Sequence, residues 1–141
     1  MIVDFYHLGA SPLERVLPAI AEKVLAGGER LLVVAEEGPL ARLDEQLWTC
    51  GRDSFLPHGR DRPETQPVLL SPAPEPLNGA THIALADGRW REEALGFARA
   101  FYLFDAGSLD EARGVWRSLK DRPEIQCRYW KQQDGKWVEG P

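Results

Sequence analysis

The chain has 141 residues, 43% of them hydrophobic and 28% charged, which suits one ordinary globular domain spanning residues 1–141. A net charge of −5 argues against a general nucleic-acid binder, whose sequence-independent hold on phosphate needs a basic surface. No apolar run approaches the roughly 20 residues that cross a bilayer, and "MIVDFYHLGA" lacks the basic start and long apolar stretch of a secretory signal, so a cytoplasmic protein with no membrane contact is expected.

In chain order, "IVDFYHL" (2–8) is a β-branched and aromatic run that reads as a strand. "SPLERVLPAIAEKVLAGG" reads as a helix, with Ser11 as N-cap, Pro12 at the first helical position, Glu14 completing a capping box and Gly27–Gly28 as the stop. Pro18 should kink it unless it falls near the N-terminal end. "ERLLVVAEE" (29–37) resembles a strand buried on both faces, followed by a helix from about Pro39 to Trp48. This alternation predicts a βαβ unit.

Between Pro57 and Ala80 lie six of the chain's 11 prolines around a single apolar "VLLS" (68–71), predicting an extended surface connection that contributes one strand. "THIALA" (81–86) is a predicted strand, "WREEALGFAR" (90–99) a helix, "AFYLFD" (100–105) a strand and "SLDEARGVWRSLKDR" (108–122) a helix opened by a capping box of Ser108 and Glu111. "QCRYWKQ" and "KWVEG", separated by "QDG", predict a terminal strand pair. The fold class is α/β, a mostly parallel sheet with helices on both faces.

Such a fold invites nucleotide chemistry, but the loops after the first two strands, "HLGASPLE" and "EEGPLA", lack the glycine spacing and the lysine of a phosphate loop. Glu36 and Glu37 would repel phosphate there. The dinucleotide pattern and the usual hydrolase motifs are also missing, and the pairs Glu36/Glu37 and Glu92/Glu93 read as solvated faces. Cys50 and Cys127 show no metal-type clustering, while His7, His58 and His82 are scattered and expected to be simply hydrogen-bonded. No metal and no cofactor are expected.

Charge is uneven: residues 1–88 carry 7 basic against 13 acidic side chains, residues 89–141 carry 10 against 9. A site for an anionic partner therefore belongs in the C-terminal third. On a wheel of ~100° per residue with Leu109 at zero, Ala112, Val115, Trp116 and Leu119 fall between roughly 240° and 340°, while Arg113, Arg117 and Lys120 cluster between roughly 20° and 80°. The apolar arc should face the sheet, with Trp116 on its seam. Arginine and lysine stems often just cover such a stripe. Three cations beside an aromatic edge also suit an acidic peptide that ends in a bulky apolar residue and a free carboxylate.

The chain resembles the chi subunit of bacterial DNA polymerase III, an accessory protein of the clamp loader. "RLDEQLW" followed by "SFLPHG" is similar to that family's helix ending in Leu-Trp and then Ser-Phe-Val/Leu-Pro-His, and "FYHL", "ERLLVVAEE" and "SLDEARGVWR" agree in order. The resemblance implies a nucleotide-binding-like topology without nucleotide function. It implies an adaptor, without an active site of its own, that grips the acidic, Phe-terminated tail of single-stranded-DNA-binding protein through Arg113, Trp116 and Arg117. The helical wheel alone adds Lys120. The resemblance also implies that Trp48, Phe55, Leu56 and Pro57 lie on the surface that meets the psi subunit or another clamp-loader component, so that DNA is contacted only indirectly.

Two other readings compete. One is a diverged nucleotide- or phosphate-binding α/β enzyme. The other is direct binding of single-stranded DNA through Trp116, Trp130 and nearby cations, against which the overall acidity counts.

Overall fold

The computed structural model describes residues 1–9, 13–49, 58–60, 62–133 and 136–140. Its strands are β1 (Ile2–His7), β2 (Leu31–Val34), β3 (His58–Gly59), β4 (Val68–Ser71), β5 (His82–Leu85), β6 (Arg99–Phe104), β7 (Gln126–Gln133) and β8 (Lys136–Gly140). The helices are α1 (Leu13–Ala26), α2 (Glu37–Thr49) and α3 (Leu109–Leu119). All eight strands join one sheet in the order β3-β4-β2-β5-β6-β1-β7-β8, parallel except for the last pair, where β8 returns antiparallel to β7. The predicted α/β class, the mostly parallel sheet and the terminal strand pair are therefore found. β1 and β2 are not neighbours, because β5 and β6 lie between them.

Strand alternation sends side chains to two cores. Leu31, Val33, Ala84, Phe101 and Leu103 face α1 and α2, which bury Leu17, Ile20, Val24, Leu40 and Leu43 against them. Val3, Phe5, Leu32, Tyr102 and Phe104 face the other way, under Ala112, Val115 and Leu119 of α3. β2, completely buried on both faces, explains the unbroken "LLVV". α1 runs unbroken through Pro18. The N-cap expected at Ser11 lies outside the described residues.

Two local expectations need correction. The segment 90–99 is not an α-helix: it holds only a short 3₁₀ turn, Glu92–Gly96. Its start is fixed by tertiary partners, since the Trp90 backbone N–H donates to Glu111 Oε2 at 2.7 Å and Arg91 clamps Asp87 through two bonds of 2.9 Å. Buried Ala94 and Phe97, three residues apart, match the period of a 3₁₀ turn. The capping box before α3 also sits one turn earlier than predicted. Asp105 Oδ1 accepts from the Gly107 N–H and Ser108 Oγ accepts from the Asp105 N–H, while Glu111 is engaged by Trp90.

The proline-rich connection supplies β3, a 3₁₀ turn at Pro63–Thr65 and the predicted strand β4. Beyond β4 it is fastened by Asn78, which is 2% exposed. Its Nδ2 donates to Leu31 O and Gln66 O, and its Oδ1 accepts from the Ala80 N–H.

Candidate functional site: a cationic, aromatic groove beside the last helix

α3 is a strongly two-sided helix. Ala112, Val115 and Leu119 are buried on the sheet, whereas Arg113, Arg117 and Lys120 are exposed. Asp110 and Glu111 in its first turn and Arg117 in its last turn complement the helix dipole.

Trp116 occupies the seam as the wheel predicts. Half-buried, it meets Phe5 edge-on at 5.1 Å and Tyr129 at 6.1 Å, so the ring is both core and surface. A groove of about 270 Å³ opens beside it, floored by Phe104, Leu109 and Ala112 and flanked by Arg113, Arg117 and Tyr129. Three of the four predicted binding residues thus converge. Lys120, at the C-cap of α3, does not line this groove.

Tyr129 and Phe104 were not foreseen as site residues. They arrive through register: Phe5 pairs with both Tyr102 and Tyr129, so β7 presents Cys127 and Tyr129 to the α3 face and Arg128 and Trp130 to the other. The Tyr129 hydroxyl lies 3.0 Å from His7 Nδ1, and His7 stacks on Phe104 at 5.3 Å. Burial pushes the Tyr129 phenol up, while the nearby Arg113 charge pulls it down. Among the described residues neither Arg113 nor Arg117 is paired with a carboxylate, in contrast to Arg91, Arg99, Arg122 and Arg128. A groove with two uncompensated guanidiniums around an apolar floor can take a carboxylate attached to a ring.

Each histidine has a hydrogen-bond partner. His58 Nε2 lies 3.3 Å from Asp44 O, and His82 Nδ1 lies 2.9 Å from Thr81 Oγ1. Cys127 is a half-buried free thiol; Cys50 lies outside the described residues. No helix among the described residues is long and apolar enough to cross a membrane.

At the C-terminal strand ends, where α/β sheets usually bind ligands, a hollow of about 390 Å³ carries Asp87, Asp105 and Arg42. Its carboxylates are committed elsewhere. Burial alone would push the Asp87 pKa up, but bonds from Arg91, the Arg89 N–H and the Glu36 N–H hold it below the usual range, and Asp105 caps its own turn. Arg42 is the one cation among the described residues that line the hollow.

Of the second predicted surface, Trp48 belongs to the last turn of α2, but its side chain is not among those described. Phe55, Leu56 and Pro57 lie outside the described residues.

No curated protein matches the chain. The family profile described as "DNA polymerase III chi subunit, HolC" matches residues 1–125, everything up to the start of β7. This match, over a single mostly parallel sheet with helices on both faces, gives the assignment: the chain belongs to the DNA polymerase III chi subunit family.

Proposed function

We propose that this DNA polymerase III accessory subunit acts as a non-catalytic adaptor, holding the acidic, Phe-terminated tail of single-stranded-DNA-binding protein in the α3 groove. The observation that carries this reading is the convergence of Arg113, Arg117, Trp116 and Tyr129 on one apolar floor. The terminal ring enters between Phe104 and Trp116, and the terminal carboxylate and adjacent acidic side chains meet the two guanidiniums. In this contact DNA is reached only through the binding protein.

The second hand of the adaptor is the segment with Trp48, Phe55, Leu56 and Pro57, directed at the psi subunit or another clamp-loader component. The placement of α2 supports it. α2 packs on the α1 face near β3 and β4, whereas α3 lies on the other face, so two partners need not compete.

The test is a fluorescence-anisotropy titration of a labelled acidic peptide ending in Pro-Phe. Wild type should bind saturably and more weakly as salt rises. Arg113→Ala with Arg117→Ala should weaken binding between about tenfold and a hundredfold, since each charge-assisted contact contributes about 1.5–3 kcal/mol before screening. Equal binding by the double variant would remove α3 as the site.

A further inference from the structure

α1 and α2 cover only part of their face of the sheet. Toward β7 and β8 no helix among the described residues follows, and the uncovered strip holds a groove of about 630 Å³, more than twice the size of the α3 groove. Its floor is aromatic. Tyr6 and Trp130 stack at 6.3 Å with 20° between their planes, and Trp137 of β8 meets Tyr6 edge-on at 5.1 Å. Its walls are cationic. Arg15 and Lys23 rise from exposed positions on α1, and Arg99 and Arg128 stand on β6 and β7.

The opposing charge falls short of these four cations. Asp4, completely buried, is bonded by Arg99 Nε, by Arg128 Nε and Nη2, and by Trp130 Nε1, so one carboxylate is shared by two guanidiniums. Glu29 lines the groove, and Glu139 of β8 pairs across from Trp130 and acts on Arg128. Arg15, Lys23, Arg99 and Arg128 against Asp4, Glu29 and Glu139 leave this strip one charge positive on a chain whose net charge is −5. Among the described residues neither Arg15 nor Lys23 has an ion-pair partner. Arg128, Trp130 and Trp137 all lie beyond the 1–125 segment that the family profile matches.

We propose that this groove is a direct binding site for single-stranded nucleic acid, with bases stacked on Tyr6, Trp130 and Trp137 and the backbone tracked by Arg15, Lys23, Arg99 and Arg128. The layout favours a nucleic acid over an acidic peptide because both halves of it are used. Bases offer a flat face to each ring whatever their identity, and phosphates recur between them. An acidic peptide with a single terminal ring would engage the cations and occupy only one of the three aromatic positions. Trp116 and Trp130 lie on opposite faces of the sheet, so a platform that combined them is ruled out and Trp130 acts with Tyr6 instead.

The site is separate from the α3 groove and stands or falls independently of the tail reading. The probe is fluorescein-labelled oligothymidylate, titrated by anisotropy at low and moderate salt, with the acidic peptide titrated in parallel. Wild type should bind the oligonucleotide with quenching of tryptophan emission. Arg15→Glu with Lys23→Glu, both on exposed α1 positions, should weaken it more than tenfold and flatten the salt dependence by about 1.4 in log K against log salt. Trp130→Ala, checked for a cooperative melt, should weaken it as well, while Arg113→Ala with Arg117→Ala should bind DNA like wild type. Absence of saturable binding by folded wild type at low salt would overturn the proposal, as would unchanged binding by the α1 charge reversals. It would also be overturned if the reversals abolished peptide binding instead, which would make the groove a peptide site.

Discussion

Replacing Asp4 with Asn keeps the volume of the side chain and removes its charge, so the effect isolates the electrostatic role of the one fully buried carboxylate among the described residues. In the native chain Asp4 accepts from Arg99 Nε at 2.7 Å, Arg128 Nε at 2.7 Å, Arg128 Nη2 at 3.2 Å and Trp130 Nε1 at 2.9 Å. Asn retains one acceptor oxygen and turns an amino group toward guanidinium donors, leaving two cations side by side without a counter-ion. Breaking a fully buried pair costs about 3–5 kcal/mol. The Arg99 and Arg128 side chains keep 33% and 24% of their exposure, so water screens part of the loss and about 3 kcal/mol is expected. For a domain of this length that is a fall in Tm of about 10 °C. Urea denaturation at pH 7 should show the drop with an unchanged m-value.

The pH dependence supplies the sign. Burial alone would push the Asp4 carboxyl up, but the bonds from Arg128, Trp130 and Arg99 outweigh it and hold its pKa below the ordinary value of 3.8. A depressed folded pKa gives stability that is present above the unfolded value and lost as pH falls through the folded one. The gap between wild type and Asp4→Asn should therefore stay level from neutral pH to about pH 5 and narrow below about pH 4. A gap under 1 kcal/mol at pH 7, or one that widens on acidification, would falsify this account of the cluster.

Two further substitutions test how the rest of the scaffold is held. Asn78→Ala should cost about 2–3 kcal/mol, because it removes together the bonds from Asn78 to Leu31 O, Gln66 O and the Ala80 N–H; hydrogen exchange should then show faster amides in the proline-rich connection than in α3. Protection unchanged at residues 77–81 would mean that the connection is held by something else. Gly88→Ala should lose about 2 kcal/mol by thermal denaturation, since Gly88 has φ +76° and an added Cβ would stand 2.5 Å from Ser108 Oγ. A Tm within 1 °C of wild type would show that the turn rearranges freely.

The parts of this fold that could be read from the sequence are those whose signal is local. Short apolar runs mark β2, β4 and β5, and the spacing of Ala112, Val115 and Leu119 orients α3 correctly, which places Arg113 and Arg117 beside Trp116. Residues 90–99 carry good helix formers, yet Glu111, 21 positions from Trp90, decides their conformation. Propensity loses there to a tertiary bond. Tyr129 and the Asp4–Arg99–Arg128 cluster were invisible for a related reason. They depend on the parallel register of β1 with β6 and β7, partners 95 and 124 residues from Asp4, and no local pattern encodes that register.

The position of β1 also shapes how the chain assembles as it is synthesised. β1, which leaves the ribosome before the other described strands, ends up between β6 and β7, both of which come from the last third of the sequence. Until Gln126 and its successors emerge, β1 has no complete pair of neighbours, whereas β2, β4 and β5 can meet as soon as residue 85 is available. One half of the sheet can therefore form early while an apolar, aromatic N-terminal strand waits, exposed along both edges. Asp4, a charge in the middle of that waiting strand, keeps "IVDFYHL" from being an uninterrupted adhesive segment until the two arginines arrive to neutralise it.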